Sequence, residues 1–101
     1  MSGRFNAVLH AFEGALDVTR GRMFGSEGLK VDGKVFAMEV KGHLVVKLSA
    51  ARAEELRSAG RGTAFDPGHG RPMKQWIAVG DAKADWIALA REAHAFVIGG
   101  R

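Results

Sequence analysis

Apolar residues near the start of the chain recur with a helical spacing. Phe5, Val8, Leu9, Phe12 and Leu16 fall three or four positions apart, which lays one stripe along a helix. Ser2 is placed to cap its start. The helix is expected to end near Asp17, because Val18-Thr19 favour extended chain and Gly21 breaks the pattern. From Thr19 the period becomes two. Arg22-Met23-Phe24, resuming near Leu29-Lys30-Val31, reads as a first strand, and Asp32-Gly33 turns the chain into a second. In that second strand Phe36, Met38 and Val40 point one way, while Val35, Ala37 and Glu39 point the other. Lys41-Gly42 makes a tight connection to a third strand, with Leu44, Val46 and Leu48 inward and His43, Val45 and Lys47 outward. The pattern predicts a three-stranded antiparallel meander.

Ser49 through Ser58 reads as a second helix, with Ser49 as its cap, Ala53, Leu56 and Ala59 as apolar positions, and Gly60 as its stop. The stretch 62–72 holds both prolines of the chain and is expected to be a loop, with a short strand at Thr63–Phe65. Met73 to Val79 alternates as a strand, with Lys74, Trp76 and Ala78 on one face. Gly80-Asp81 supplies a break and a cap, and a last helix runs to about Ile98 on the stripe Trp86, Leu89, Ala90, Ala93, Phe96 and Val97. The order α-β(3)-α-β(2)-α predicts an α+β two-layer sandwich, one domain over residues 1–101. Its expected core is Phe5, Val8, Leu9, Phe12, Phe36, Met38, Leu44, Val46, Trp86 and Leu89.

Composition narrows the function classes. With 47% hydrophobic and 26% charged residues the chain is not disordered by composition. It has no cysteine, which excludes disulfides, thiolate catalysis and cysteine-ligated zinc. No apolar run approaches the roughly 20 residues that span a membrane. The start reads as amphipathic rather than as a signal peptide, so a cytoplasmic location and no membrane association are expected. The net charge is +4, and it is unevenly placed. Residues 18–80 hold eleven basic and six acidic side chains, whereas both terminal helices are net acidic.

None of the residue constellations carries a catalytic signature. His10, His43, His69 and His94 include no i, i+4 metal pair. His10 and His94 fall at the edges of the apolar stripes, where a packed or solvated ring is expected. Ser26, Ser49, Ser58 and Thr63 lack a nucleophile-elbow setting. Asp81 and Asp85 sit where a helix dipole favours negative charge, a structural role. Gly25-Ser26-Glu27-Gly28 and Gly68-His69-Gly70 lack phosphate-loop spacing and read as turns. The sequence therefore predicts no enzyme, no metal and no cofactor.

The run from Arg22 to Met38 has a recognisable shape: Arg22-Met23-Phe24-Gly25, then Gly28-Leu29, Asp32-Gly33 and Phe36-Ala37. With Leu44, Lys47 and the Gly70-Arg71-Pro72-Met73 segment, it resembles the TfoX (Sxy) N-terminal domain family, named for the bacterial competence regulator, over about residues 5–98. YjbR-like proteins share the meander without the Met-Phe-Gly turn and are the second choice. The resemblance implies the same α-β(3)-α-β(2)-α fold and a stand-alone member of the family. Its motif residues are Arg22, Met23, Phe24, Gly25, Gly28, Asp32 and Gly33.

The preferred function is a regulatory or protein-interaction domain with a link to transcription, its partner unnamed, using Arg20, Lys47, Arg71, Lys74 and Trp76 as a candidate surface. Nucleic-acid binding, less favoured, would draw phosphate contacts from these basic residues with Arg22, Lys30 and Lys34. A third reading takes the 66–72 loop, with His69 and Arg71, as a ligand or enzyme pocket. A homodimer is expected through a bare sheet face formed by Val35, Ala37, Val45, Trp76 and Ala78, or through the edge strand of the sheet.

Overall fold

A computed structural model of the chain describes residues 3–23, 26–66, 70, 73–81 and 83–99. Helix α1 (Gly3–Ala11) leads into strands β1 (Val18–Met23), β2 (Ser26–Val31), β3 (Lys34–Val40) and β4 (His43–Lys47). Helix α2 (Ala50–Ser58), the two-residue β5 (Thr63–Ala64), β6 (Trp76–Val79) and helix α3 (Trp86–Gly99) complete the chain. The six strands form one antiparallel sheet in the order β1-β2-β3-β4-β6-β5. The fold is α+β, with four strands rather than three before α2.

The extra strand corrects the meander. Thr19 to Val31 is a hairpin, with Thr19 opposite Lys30 and Met23 opposite Ser26, so the run read as one interrupted strand folds back on itself. Helix α1 also ends earlier than its stripe suggested. Phe12 and Glu13 close the last turn by donating to the Leu9 and His10 carbonyls at 3.2 Å, and the chain then leaves the helix. Gly14 disfavours continuation. Phe12 is still buried, but Leu16 projects fully into solvent.

The turns follow backbone chemistry closely. Asp32 and Gly33 have φ of 53° and 75°, and Lys41 and Gly42 have φ of 51° and 80°. Two consecutive positive φ values are what a two-residue hairpin loop needs to match strand twist. Ser49 caps α2, its side chain accepting from the Arg52 N–H at 3.1 Å. Gly60, at φ 73°, ends that helix while Arg61 N–H donates to the Leu56 carbonyl at 2.9 Å. The α3 cap is Asp85, not Asp81: its carboxylate accepts from Ala88 N–H at 3.0 Å. Asp81 instead organises the preceding turn through Lys83 N–H at 2.9 Å.

The main core lies between the sheet and the three helices. It contains the whole expected set except Met38, joined by Leu29, Val31, Ala53, Leu56, Ile77, Val79 and Val97 among others. Met38 belongs to a second cluster on the opposite face, with Val35, Val45, Phe65 and Trp76, flanked by Val40, Met73 and Ala78. The cause is a bulge in β3. Leu29 faces Ala37 while Lys30 faces Val35, so Phe36 is the additional residue. Phe36 and Ala37 therefore share the helix side, and Met38 and Val40 move to the other, against the strict alternation predicted. β6 also starts late. Trp76 N–H donates back to the Met73 carbonyl at 3.1 Å, so residues 73–75 form a turn rather than strand.

Candidate functional site

A recess with a mixed lining follows from the shortness of β5. That strand covers β6 only at Ile77 and Ala78, so the sheet edge is open at Trp76. Helix α2 crosses above it. The result is a cleft of about 440 Å³ lined by Ala50, Ala53, Ala64, Met73, Trp76 and Ile77, with Glu54, Arg57 and Lys74 among its polar groups. Trp76 bounds the cleft at the sheet edge, while its buried ring packs on the side away from the helices, tilted against Phe65 with ring centroids 6.4 Å apart. Small side chains on α2 leave the room: Ala50 and Ala53 stand where longer residues would fill the cleft.

The charged rim is held in place. Arg57 Nε donates to Glu54 Oε2 at 2.9 Å, and Ser58 Oγ donates to Glu54 Oε1 at 3.1 Å. Hydrogen bonds from Arg57, then from Ser58, hold the Glu54 carboxyl below its ordinary pKa. The cleft thus offers an apolar floor, a zwitterionic pair along one side and the exposed Lys74 on another. It can accept an apolar side chain and attract an acidic neighbour.

A second groove, of about 420 Å³, runs between α2 and α3. Arg52 spans it, its Nε donating to Glu92 Oε1 at 2.6 Å, with Glu55 as a further partner. The Glu92 hydrogen bond leads the causes that raise the Arg52 pKa. This ion pair braces the two helices and leaves the groove floor, Leu56, Val79 and Leu89, apolar.

The structure separates the predicted surface residues. Lys74 and Trp76 both line the cleft, Trp76 as a buried residue rather than as an exposed contact. Lys47 stands opposite Trp76 in the β4–β6 ladder but lines a different recess with Lys34, Gln75 and Phe96. Arg20 lies on β1, four strand positions from β6, or about 19 Å away at the usual strand spacing. It reaches Glu27 at 3.6 Å. Arg71, with His69 of the proposed loop pocket, lies outside the described residues. Sequence reading missed Ala50, Ala53, Glu54, Arg57 and Met73. The only signals were the small residues at the start of α2 and the Glu54/Arg57 spacing of three.

The histidines have local roles. His94 Nε2 is 2.8 Å from Asp17 Oδ2, and its ring sits against Phe12 and Phe36 at centroid distances of 5.7 and 5.4 Å. His10 pairs with Glu13 at 3.0 Å, and His43 Nδ1 lies 3.1 Å from the Lys41 carbonyl. Among the described residues no three His, Asp or Glu side chains group as metal ligands would.

The sheet face expected to be bare is covered. Val35 is 8% exposed, Ala37 and Val45 0% and Trp76 4%, and Ala78 is half-buried. Ala37 is on the helix side altogether. The apolar patch from which the homodimer was inferred is thus interior to one chain.

The family model described as the TfoX N-terminal domain matches residues 10–96. The chain belongs to the TfoX N-terminal domain family. No curated protein and no solved structure matches it significantly. The resemblance of the Arg22–Met38 run is therefore that of a family member, and the structure gives several of its motif positions a physical role. Asp32 and Gly33 are the β2–β3 turn. Gly28 is buried, and a Cβ there would lie 2.6 Å from the Ala37 carbonyl oxygen and 3.0 Å from Met38 Cβ. Arg22 stands exposed on β1, opposite Glu27. Met23 pairs with Ser26, and Phe24 and Gly25 lie outside the described residues. These TfoX-family positions build the hairpins; the cleft is made by other residues.

Proposed function

We propose that this TfoX N-terminal domain is a non-enzymatic protein-interaction domain whose cleft under α2 takes an apolar side chain from a partner. The observation that supports it most is the cleft itself, left open at Trp76 and Ile77 where β5 stops, beside an exposed lysine. An apolar recess with few polar groups favours binding by burial, and the charges set orientation. The regulatory setting, with its link to transcription and a cytoplasmic location, rests on the resemblance to the competence regulator's domain. No described helix is long and apolar enough to cross a membrane.

Peptide display against the immobilised protein tests the reading. The expected enriched sequences share one large apolar residue flanked by acidic ones. Ala50→Trp fills the cleft from an exposed helix position and should abolish their binding without unfolding the chain. Failure to enrich any family, or binding undiminished by Ala50→Trp, would overturn the proposal.

A further inference from the structure

The opposite edge of the sheet carries a second inference, independent of the cleft. β1 is the terminal strand, and Thr19, Arg20 and Arg22 on it are exposed. The hydrogen-bonding parity of the sheet shows which main-chain groups face outward. Asp32-Gly33 is a two-residue turn, so the pair that closes it, Val31 with Lys34, is a hydrogen-bonded pair. Main-chain groups of Leu29 and Val31 therefore face β3, and those of Ser26, Gly28 and Lys30 face β1. Their partners Met23, Gly21 and Thr19 face back toward β2. Arg20 and Arg22 are left with N–H and C=O turned away from the sheet. Val18 N–H is already committed to the Ala15 carbonyl at 3.2 Å, which sets one limit of the open edge.

Side-chain charge then selects what can pair there. Arg20 and Arg22 lie two residues apart on one face, shared with Leu29 opposite Arg20 and with Glu27, which stands opposite Arg22 and 3.6 Å from Arg20, so the two arginines share one carboxylate and the face keeps a net positive charge. A second copy pairing antiparallel about Gly21 would set Arg20 against Arg22 twice over, like charge facing like charge at close range. The edge thus rejects itself. An incoming strand with a carboxylate opposite each arginine reverses both interactions. The residue between those carboxylates would lie over Gly21, which has no side chain and is crossed by the Lys30 methylene stem. That position accepts an apolar side chain.

We propose that β1 accepts an extended acidic segment of a partner protein as a seventh, antiparallel strand, reading the pattern acidic–apolar–acidic through Arg22, Gly21 and Arg20. Main-chain bonds give the attachment and the arginines give the choice of sequence.

The test uses the full chain, 15N-labelled, and a seven-residue peptide with glutamates at positions three and five, valine at four and threonine elsewhere. Amide shifts and slowed hydrogen exchange are expected at residues 19–22. N-methylation of the two glutamates, whose N–H groups would point at β1, should abolish binding, whereas N-methylation of the valine should not. The double variant Arg20→Glu, Arg22→Glu should bind at least about tenfold more weakly and should prefer the lysine version of the peptide. Any of four results would overturn the proposal: perturbation centred on Ala64 and Lys74, equal binding of the lysine peptide by the wild type, indifference to glutamate N-methylation, or displacement from β1 by duplex DNA of equal charge.

Discussion

Gly28 and Gly21 face each other across the first hairpin, yet they answer different constraints. A methyl group at Gly28 would meet the Ala37 carbonyl oxygen at 2.6 Å, a main-chain atom that cannot step aside. At Gly21 it would meet the methylene stem of Lys30, a side chain that can swing away. Gly28→Ala is therefore expected to cost ~1–3 kcal/mol in urea unfolding, and Gly21→Ala clearly less. Lys41 stands at φ 51° in a hairpin turn, a conformation that disfavours a side chain by ~1 kcal/mol. Lys41→Gly should raise the unfolding free energy by up to a comparable amount, read as a higher urea midpoint at unchanged slope. The Asp32-Gly33 and Lys41-Gly42 turns were legible in the sequence because their requirement is local. Gly28 was not, since its constraint comes from another strand. For Glu54, whose pKa is lowered by Arg57, stability is contributed above the unfolded-state pKa and lost as pH falls through the folded one. The unfolding midpoints of wild type and Glu54→Gln should accordingly converge at acid pH and separate as pH rises through the carboxylate range.

At the level of elements, the helix caps decide where regular structure starts. Ser49→Ala and Asp85→Ala each remove an acceptor from a first-turn N–H and should each cost about 1 kcal/mol. Thermal denaturation monitored by circular dichroism would measure both. The α2 limits were legible because Ser49 and Gly60 are both unambiguous signals. The start of α3 differs from the expected one because Asp81 and Asp85 are equally good caps in sequence, and in the structure Asp81 is taken up by the preceding turn. The first hairpin was misread for a related reason. Arg22, Glu27 and Lys30 interrupt the apolar alternation, since a strand at the sheet margin need not bury both its faces.

Over the whole molecule, the sheet is covered on both sides, and this separates the structure from a simple sandwich with one wet face. Met38 is 0% exposed on the side away from the helices. Met38→Ala should cost about 2–5 kcal/mol, comparable to Leu44→Ala on the helix side. A near-neutral result in urea denaturation would show that the second cluster is not packed. Val45→Glu would place a carboxylate in that cluster, so it should unfold the chain rather than merely shift its oligomeric state, as light scattering with circular dichroism would show. The α+β class, the antiparallel pairing and most of the core followed from period alone. The cleft did not, because it is made by what is missing: a strand two residues long, and alanines where α2 crosses it.

The additional residue at Phe36 has a consequence for how this family can change over time. Upstream and downstream of it, the same strand presents opposite parities to the helices. Deleting Phe36 would leave Val35 opposite Lys30 and Ala37 opposite Leu29 in plain alternation, so the segment that follows would keep its faces and the loss would be one buried ring from the helix side. A one-residue change of length is thus absorbed where it occurs, because the pairs on either side of the bulge are already in register. Related chains should therefore be able to differ by one residue in the interval between the two hairpin glycines while the residues aligned with Met38 and Val40 stay on the side away from the helices, so a gap in an alignment belongs at Phe36.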